Sequence, residues 1–325
     1  MRVRKKQYLI LAILISSLFF LIILSKNFIY EEDNKVYRIS VIIRGKNSES
    51  WMITKEGIDQ AALDMNVDIS FITLSEENNL EEQEKLIKRE IDDGVDALII
   101  APVDSEKMSN AIKSAKEKVP VVLIDSTIQG MKQIPYVSCD NYLLGKSLAD
   151  EVIRSGNYRK NIAIINSDTS YSSIGDRYRG FEEVIKESKN KYELWDISGD
   201  TINGTEYIPK MVKEKNIDIL VALEPSTLEV LAQAKKELIL GYEEANNIEI
   251  YGVGSTSKII ALLEEHVINS IIVQNEFNVG YLCVQAAVDL IKGEKINNKN
   301  IDFSVISNIN MYSDENQRLL FPFVR

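Results

Sequence analysis

Five polar segments follow apolar, β-branched runs, and their side chains suit hydrogen bonding to a ligand rich in hydroxyls. Ile43 is followed by Arg44, Ser48 and Trp51, Ile124 by Asp125 and Ser126, and Asn166 by a segment that reaches Arg177; Leu223 leads to Ser226, and Ile272-Val273 to Gln274. A carboxylate such as Asp125 accepts from hydroxyls. Guanidiniums such as Arg44 and Arg177 donate to ring and hydroxyl oxygens, and each charge-assisted bond contributes about 1.5–3 kcal/mol. Trp51 offers a flat apolar surface on which a sugar ring can stack, while Ser48, Ser126, Ser226 and Gln274 add neutral donors and acceptors. Plainer readings stay open beside these: Asp125 as the cap of a helix after its strand, Arg177 as a surface ion pair, Trp51 as core.

Other chemistries find little support. The single histidine, His266, sits in a helical stretch and reads as a surface or half-buried residue, and no G-x-S-x-G nucleophile elbow is present. Cys139 and Cys283 are far apart and read as separate buried thiols, without the short Cys and His spacing of a zinc site. Gly252-Val253-Gly254 lacks the third glycine and the downstream acid of a dinucleotide fingerprint, and there is no G-x-x-x-x-G-K-[ST]. No acidic pair is picked out for glycoside hydrolysis. The expectation is a protein without catalytic residues, cofactor or metal.

These side chains must be held by a scaffold, and the sequence supplies one. With 325 residues, 45% hydrophobic and 27% charged, the chain is long and apolar enough for two cores. Eleven strands are predicted: 37–43, 67–73, 97–101, 119–124, 134–138, 161–166, 191–197, 217–223, 249–253, 270–274 and 301–306. Amphipathic stretches lie between them. In 50–65, Ile58, Ala61, Ala62 and Met65 share a face; 78–93 closes before Gly94. Alternation of strand and helix implies parallel sheets covered on both faces, and the wholly apolar Ala97-Leu98-Ile99-Ile100-Ala101 fits burial on two sides. Eleven strands point to two sheets, with ligands bound beyond the carboxyl ends of the strands.

Formal charge is −11 overall. Arg2, Arg4, Lys5, Lys6 and Lys26 make the first 26 residues positive, so the remaining 299 carry −16, a balance that repels nucleic acid. Tyr8 to Leu24 is an uncharged run of 17 residues, about 25 Å as a helix and close to the thickness of a bilayer core. Four positive charges precede it, which places residues 1–7 in the cytosol and the rest outside. No A-x-A-like cleavage site follows, and the first cysteine is Cys139, too late for a lipid-modified signal. The expectation is a cytosolic tail at 1–7, an uncleaved transmembrane anchor at 8–29, a linker at 30–36, and a single-pass cell-membrane protein with its bulk extracytoplasmic.

From Tyr37 to about Asn316 the chain resembles the type I periplasmic binding proteins of the ribose and galactose branch. The resemblance rests on Tyr37-Arg38-Ile39-Ser40-Val41-Ile42-Ile43, Lys55-Glu56-Gly57, Asp93-Gly94-Val95-Asp96-Ala97-Leu98-Ile99-Ile100-Ala101-Pro102, and Val119-Pro120-Val121-Val122-Leu123-Ile124-Asp125. Val137-Ser138-Cys139-Asp140-Asn141 with Gly145 resembles a first crossover between lobes, Arg177-Tyr178-Arg179-Gly180-Phe181 the R-x-x-G-F motif, and Gln274 with Gly280 the return crossover.

The resemblance implies an α/β fold of two doubly wound parallel-sheet lobes joined by a hinge, residues 37–139 plus 275–303 forming one and 140–274 plus 304–325 the other. It further implies that Asp125 and Arg177 meet sugar hydroxyls, that Trp51 stacks on the ring and that Gln274 contacts ligand from the hinge. There are departures. Arg44 stands where a small or uncharged residue is usual, Ser226 and Thr227 replace an Asn and an Asp, and Gly254 replaces an acceptor Asp, so the ligand is another pentose or hexose rather than ribose, or carries an anionic group. Some Gram-positive bacteria use anchored sugar-binding proteins of this kind, xylose-sensing ones among them, to control a sensor histidine kinase through its outer domain. This chain resembles them, and the expected partner is such a kinase ectodomain, with an ABC permease as the alternative.

Overall fold

The hydrophobic pattern resolves into two six-stranded sheets, each built on short apolar strands. The computed structural model describes residues 35–46, 48–166, 170–196, 204–241, 243–296 and 298–321, together with 15–17, 19 and 20. Arg38–Arg325 is one compact unit, and Met1–Tyr37 is a second. The expected anchor at 8–29 lies almost wholly outside the described residues, as does the tail at 1–7. Among the described residues no helix is long and apolar enough to cross a membrane.

The first sheet contains β1 (Tyr37–Ile42), β2 (Val67–Ile72), β3 (Ala97–Ile100), β4 (Val121–Ile124), β5 (Tyr136–Cys139) and β11 (Lys299–Ile301), in the order β11-β5-β4-β3-β1-β2. The ladders β1–β3, β3–β4, β4–β5 and β5–β11 are parallel, with Ile39 opposite Ala97 and Leu98 opposite Val121. The second contains β6 (Asn161–Asn166), β7 (Lys191–Asp196), β8 (Ile219–Ala222), β9 (Glu249–Val253), β10 (Ser270–Gln274) and β12 (Phe303–Ser307), ordered β12-β10-β9-β8-β6-β7. Only β12 runs antiparallel, against β10. All four residues of β3 are buried, as a central parallel strand requires.

Where the strand ends differ from the sequence expectation, proline explains two cases. β4 starts after Pro120 and β5 after Pro135, because a residue without an N–H cannot donate to a ladder. The predicted strand 301–306 is two strands in different sheets, separated by Asp302 alone. An unbroken apolar alternation hid this switch. His266 also differs: the helix Ser257–Glu264 ends before it, and His266 sits at φ +60, exposed, with Nδ1 2.7 Å from Asn308 Nδ2. Cys139 and Cys283 are separate buried thiols.

The chain passes between the sheets three times: from β5 into α4 (Asn141–Arg154), from β10 into α9 (Glu276–Ile291), and from β11 to β12. In each lobe one crossover helix lies against a partner at backbone contact. α9 packs on α1 (Glu49–Met65), where a Cβ on Gly280 would come within 2.0 Å of the Thr54 carbonyl oxygen. α4 packs on α5 (Ser172–Glu187), where a Cβ on Gly145 would stand 2.0 Å from the Arg177 carbonyl oxygen. Both crossings leave helix amino termini at the cleft between the sheets.

Candidate functional site

A cavity of about 80 Å³ lies between the two sheets at the carboxyl ends of their strands, with room for several water-sized groups. From the first lobe it is lined by Arg44, Ser50, Trp51, Thr54, Asp125 and Ser138 and by Glu276 on α9, and from the second by Arg177, Pro225, Gly254, Ser255 and Gln274.

Arg44 is the first residue beyond Ile43, and the Gly45 and Arg44 carbonyls accept from the Leu74 and Asn78 N–H groups at 3.2 Å each, which fixes the turn. Its guanidinium pairs with the Asp125 carboxylate. Asp125 takes a left-handed conformation at φ +64, a region that aspartate tolerates better than most residues, and Tyr136 Oη donates to its carbonyl at 2.6 Å. Asp125 Oδ2 also accepts from Ser126 Oγ at 3.1 Å and Ser173 Oγ at 3.0 Å. Burial pushes this carboxyl up, but the Arg44 and Arg177 charges and the donated bonds outweigh it and hold the group below the usual carboxylate range. Arg44 is raised despite its burial, because Asp125 faces it.

Arg177 belongs to α5 and is 4% exposed, which excludes a surface ion pair. Its Nε donates to Asn141 Oδ1 at 2.7 Å and its Nη1 to the Leu223 carbonyl at 2.8 Å. Asn141 opens α4 and donates through Nδ2 to Tyr136 Oη at 3.1 Å. A chain of hydrogen bonds thus runs from Arg177 through Asn141 and Tyr136 to the Asp125 backbone, across the first crossover.

Five of the eight residues singled out in the sequence line the cavity: Arg44, Trp51, Asp125, Arg177 and Gln274. The other three are placed elsewhere. Ser48 caps α1, accepting from the Trp51 N–H at 3.4 Å. Ser126 is fully buried and bridges the lobes, its Oγ 2.9 Å from Ser173 Oγ. Ser226 is exposed on the first turn of α7 (Pro225–Gly241), and the neighbouring Pro225 lines the cavity in its stead. Asp125 caps no helix, since β4 is followed by turns alone. Trp51 is half buried, with the Arg44 guanidinium 5.6 Å from its ring centre.

Two residues beyond the sequence reading join the site. Tyr171 packs on Arg44 from the second lobe, its ring centre 4.2 Å from the guanidinium. Glu276 is 8% exposed, and its Oε2, like Gln274 Oε1, has no hydrogen-bond partner among the described residues. An acid in the first turn of a helix reads as a complement to the helix dipole, and that ordinary role conceals Glu276 in the sequence. At Gly254, φ is +142 and a Cβ would stand 2.9 Å from the Pro225 Cβ, so no side-chain acceptor fits there.

The lobes meet directly around the cavity. Ser172 Oγ accepts from the Thr127 N–H at 2.7 Å, and the Ser170 carbonyl accepts from the Ser105 N–H at 2.9 Å. On another part of the rim the Glu49 carboxylate accepts from the Ser257 N–H at 2.8 Å and from Ser257 Oγ at 2.5 Å. Contacts made only when two lobes are apposed stabilise the closed arrangement.

Residues 39–295 match the family model described as "Periplasmic binding protein domain". The chain belongs to the type I periplasmic binding protein family. Among curated relatives, the ribose import binding protein of Bacillus subtilis (strain 168) is 23% identical over 270 residues, covering 81% of this chain and 85% of that protein. A carbohydrate transporter solute binding protein from Agrobacterium radiobacter, solved with D-arabinose, superposes with a TM-score of 0.79 at 20% identity over 88% of this chain and 99% of that one. A chain of a XylFII-LytSN complex superposes with a TM-score of 0.75 at 24% identity, covering 85% and 99%. At these identities the two structures establish the fold, with two parallel-sheet lobes flanking a cleft.

Proposed function

We propose that this periplasmic binding protein is a non-enzymatic receptor that closes on a monosaccharide, a pentose or hexose, and is held at the outer face of the cell membrane by its N-terminal segment. The observation that carries the binding reading is the cleft itself. Charged groups from both lobes converge on a buried space, and two acceptor atoms there, Gln274 Oε1 and Glu276 Oε2, have no donor among the described residues. A ligand that supplies hydroxyl donors to these atoms, while accepting from Arg44 or Arg177, is complementary to that wall. The relatives agree in kind, being described as ribose or carbohydrate binding proteins. A ligand touching both lobes favours their closure by the difference between its affinities for the closed and open forms.

In this reading the closed lobes are the signal, and a sensor histidine kinase receives it. The apolar run at 8–24 with positive charges before it supports an anchor, and a fixed anchor holds the receptor beside a fixed neighbour. The likeness to a chain solved within a XylFII-LytSN complex supports a protein partner. Delivery of sugar to an ABC permease is the second reading, favoured by the transport descriptions of the relatives.

Two measurements test the proposal. Thermal unfolding of the full chain with D-ribose, D-arabinose, D-xylose and D-fucose should show a raised midpoint with at least one sugar, since ligand bound to the native state stabilises it by mass action. No shift with any monosaccharide overturns the binding reading. Purification of the full chain from detergent-solubilised membranes should then bring down a histidine kinase in a sugar-dependent way; a permease in its place supports delivery.

A further inference from the structure

Three features of Glu276 set it apart from the rest of the cleft wall. It is more than nine-tenths buried, it lines the cavity, and one of its carboxyl oxygens has no partner among the described residues. The cations nearby are already engaged, Arg44 by Asp125 and Arg177 by Asn141 and the Leu223 carbonyl. An anionic ligand would therefore compete with bonds already made, whereas a neutral polyol supplies the donors that Gln274 Oε1 and Glu276 Oε2 lack. This favours the uncharged sugar over the anionic ligand that Arg44 and Arg177 suggest in the sequence.

Resting on the monosaccharide reading above, we infer that Glu276 is a specificity-determining ligand contact whose carboxylate accepts a sugar hydroxyl, so that filling the cleft expels a proton from this side chain. The groups facing Glu276 set the sign. Asp125 beyond β4 and Glu49 on α1 repel its negative charge; Arg177 on α5 and the Ser50 hydroxyl on α1 favour it. Arg44 shares the cavity but is matched by Asp125. From β5 the titratable neighbours are Tyr136 and Cys139, both raised mainly by burial and both neutral, and from β11 Lys299, which binds Gln285. Burial foremost, then Asp125, pushes the Glu276 carboxyl up to about 8. Near neutrality it is mostly protonated. A hydroxyl donated to Oε2 favours the ionised form, and the proton leaves to solvent as the O–H···O⁻ bond forms. By linkage, affinity rises as pH rises toward 8 and levels off above it, tenfold for each tenfold gain in acidity on binding.

The test is calorimetric titration of the full chain with D-arabinose, D-ribose, D-xylose and D-fucose at pH 6, 7, 8 and 9, in buffers of differing ionisation enthalpy, with Glu276→Gln in parallel. The inference expects proton release near pH 7.5, affinity severalfold higher at pH 9 than at pH 6, and loss of both in Glu276→Gln. Binding without proton exchange in the wild-type chain overturns the role of Glu276 and leaves the sugar reading intact, as does a Glu276→Gln variant that keeps the wild-type pH profile. Proton uptake points to an acceptor on the ligand and equally overturns it. Absence of binding by all four sugars at every pH sinks the monosaccharide reading, and this inference with it. A wild-type profile without proton release overturns the inference even where the variant fails to fold.

Discussion

The Arg44 guanidinium lies 4.2 Å from the centre of the Tyr171 ring, and the two residues come from opposite lobes. Arg44 follows the first strand of one sheet; Tyr171 immediately precedes the helix that carries Arg177 in the other. The same guanidinium pairs with Asp125, so one side chain orders the first-lobe wall and grips the second lobe. That geometry makes Arg44 a contact between the lobes as well as part of the cleft wall.

Tyr171→Ala should therefore weaken sugar binding, and it should also lower stability, since the ring is buried in the second-lobe core. A partly buried cation–π contact contributes about 0.5–2 kcal/mol, which corresponds to a loss of roughly two- to thirtyfold in affinity. Tyr171→Phe keeps the ring and should bind close to wild type. Calorimetric titration of both variants distinguishes a ring contact from a role of the hydroxyl, which the second substitution would expose.

Arg177→Ala removes a buried cation and strands two acceptors, Asn141 Oδ1 and the Leu223 carbonyl. Leaving a buried group unsatisfied costs about 1–3 kcal/mol each, so a stability loss of several kcal/mol is expected along with loss of binding. Arg177→Lys retains the charge but has no planar fork to serve both acceptors, and should recover stability only in part. Urea unfolding checks the first effect and sugar titration the second; a fully stable, fully binding Arg177→Lys would show that the fork is dispensable.

Gly145→Ala tests how the site is positioned. The added methyl would meet the Arg177 carbonyl oxygen at 2.0 Å, and since that atom is backbone, α4 and α5 must move apart. Gly280→Ala makes the equivalent clash with Thr54 on the opposite lobe. Both should lower stability, by about 1–3 kcal/mol or more if the crossing cannot relax. At Gly145 the helix that moves carries Arg177, so binding should fall further than stability alone explains. Melting curves with and without sugar separate the two contributions.

Most of this architecture is legible in the residues. Apolar runs such as Ala97–Ile100 mark central parallel strands, and the likeness of Arg177-Tyr178-Arg179-Gly180-Phe181 to the family's R-x-x-G-F motif points to Arg177, whose burial only the structure shows. Asp125 stands out as a carboxylate at the end of an apolar strand. What escapes is set by tertiary context. Asp302 separates two strands whose apolar patterns merge in the sequence, and only the hinge assigns them to different sheets. Ser226 follows a strand as a site residue should, yet Pro225 takes the inward position. Tyr171 and Glu276 have ordinary local readings, an aromatic as core and an acid in a first helical turn, and acquire their roles only when the second lobe is apposed.

Glu276 should also leave a signature in stability. Its carboxyl titrates near 8 in the folded chain, against an ordinary value of 4.5, because of burial first and Asp125 second. Between those values the folded protein keeps a proton that the unfolded chain has released, so stability falls as pH rises through this window and the penalty is complete above about 8. Below about 4.5 the group contributes nothing. Asp125 acts in the opposite sense and in a different range: held below 3.8, it lends stability above that value and loses it in acid. Replacing Glu276 with Gln abolishes its titration while keeping its shape. Relative to wild type, Glu276→Gln should gain stability steadily from pH 5 to pH 8.5, up to about 4 kcal/mol if the full difference in acidity is expressed. Urea midpoints for the two proteins across that range provide the measurement, and parallel curves would mean that the carboxyl is hydrated in the folded state.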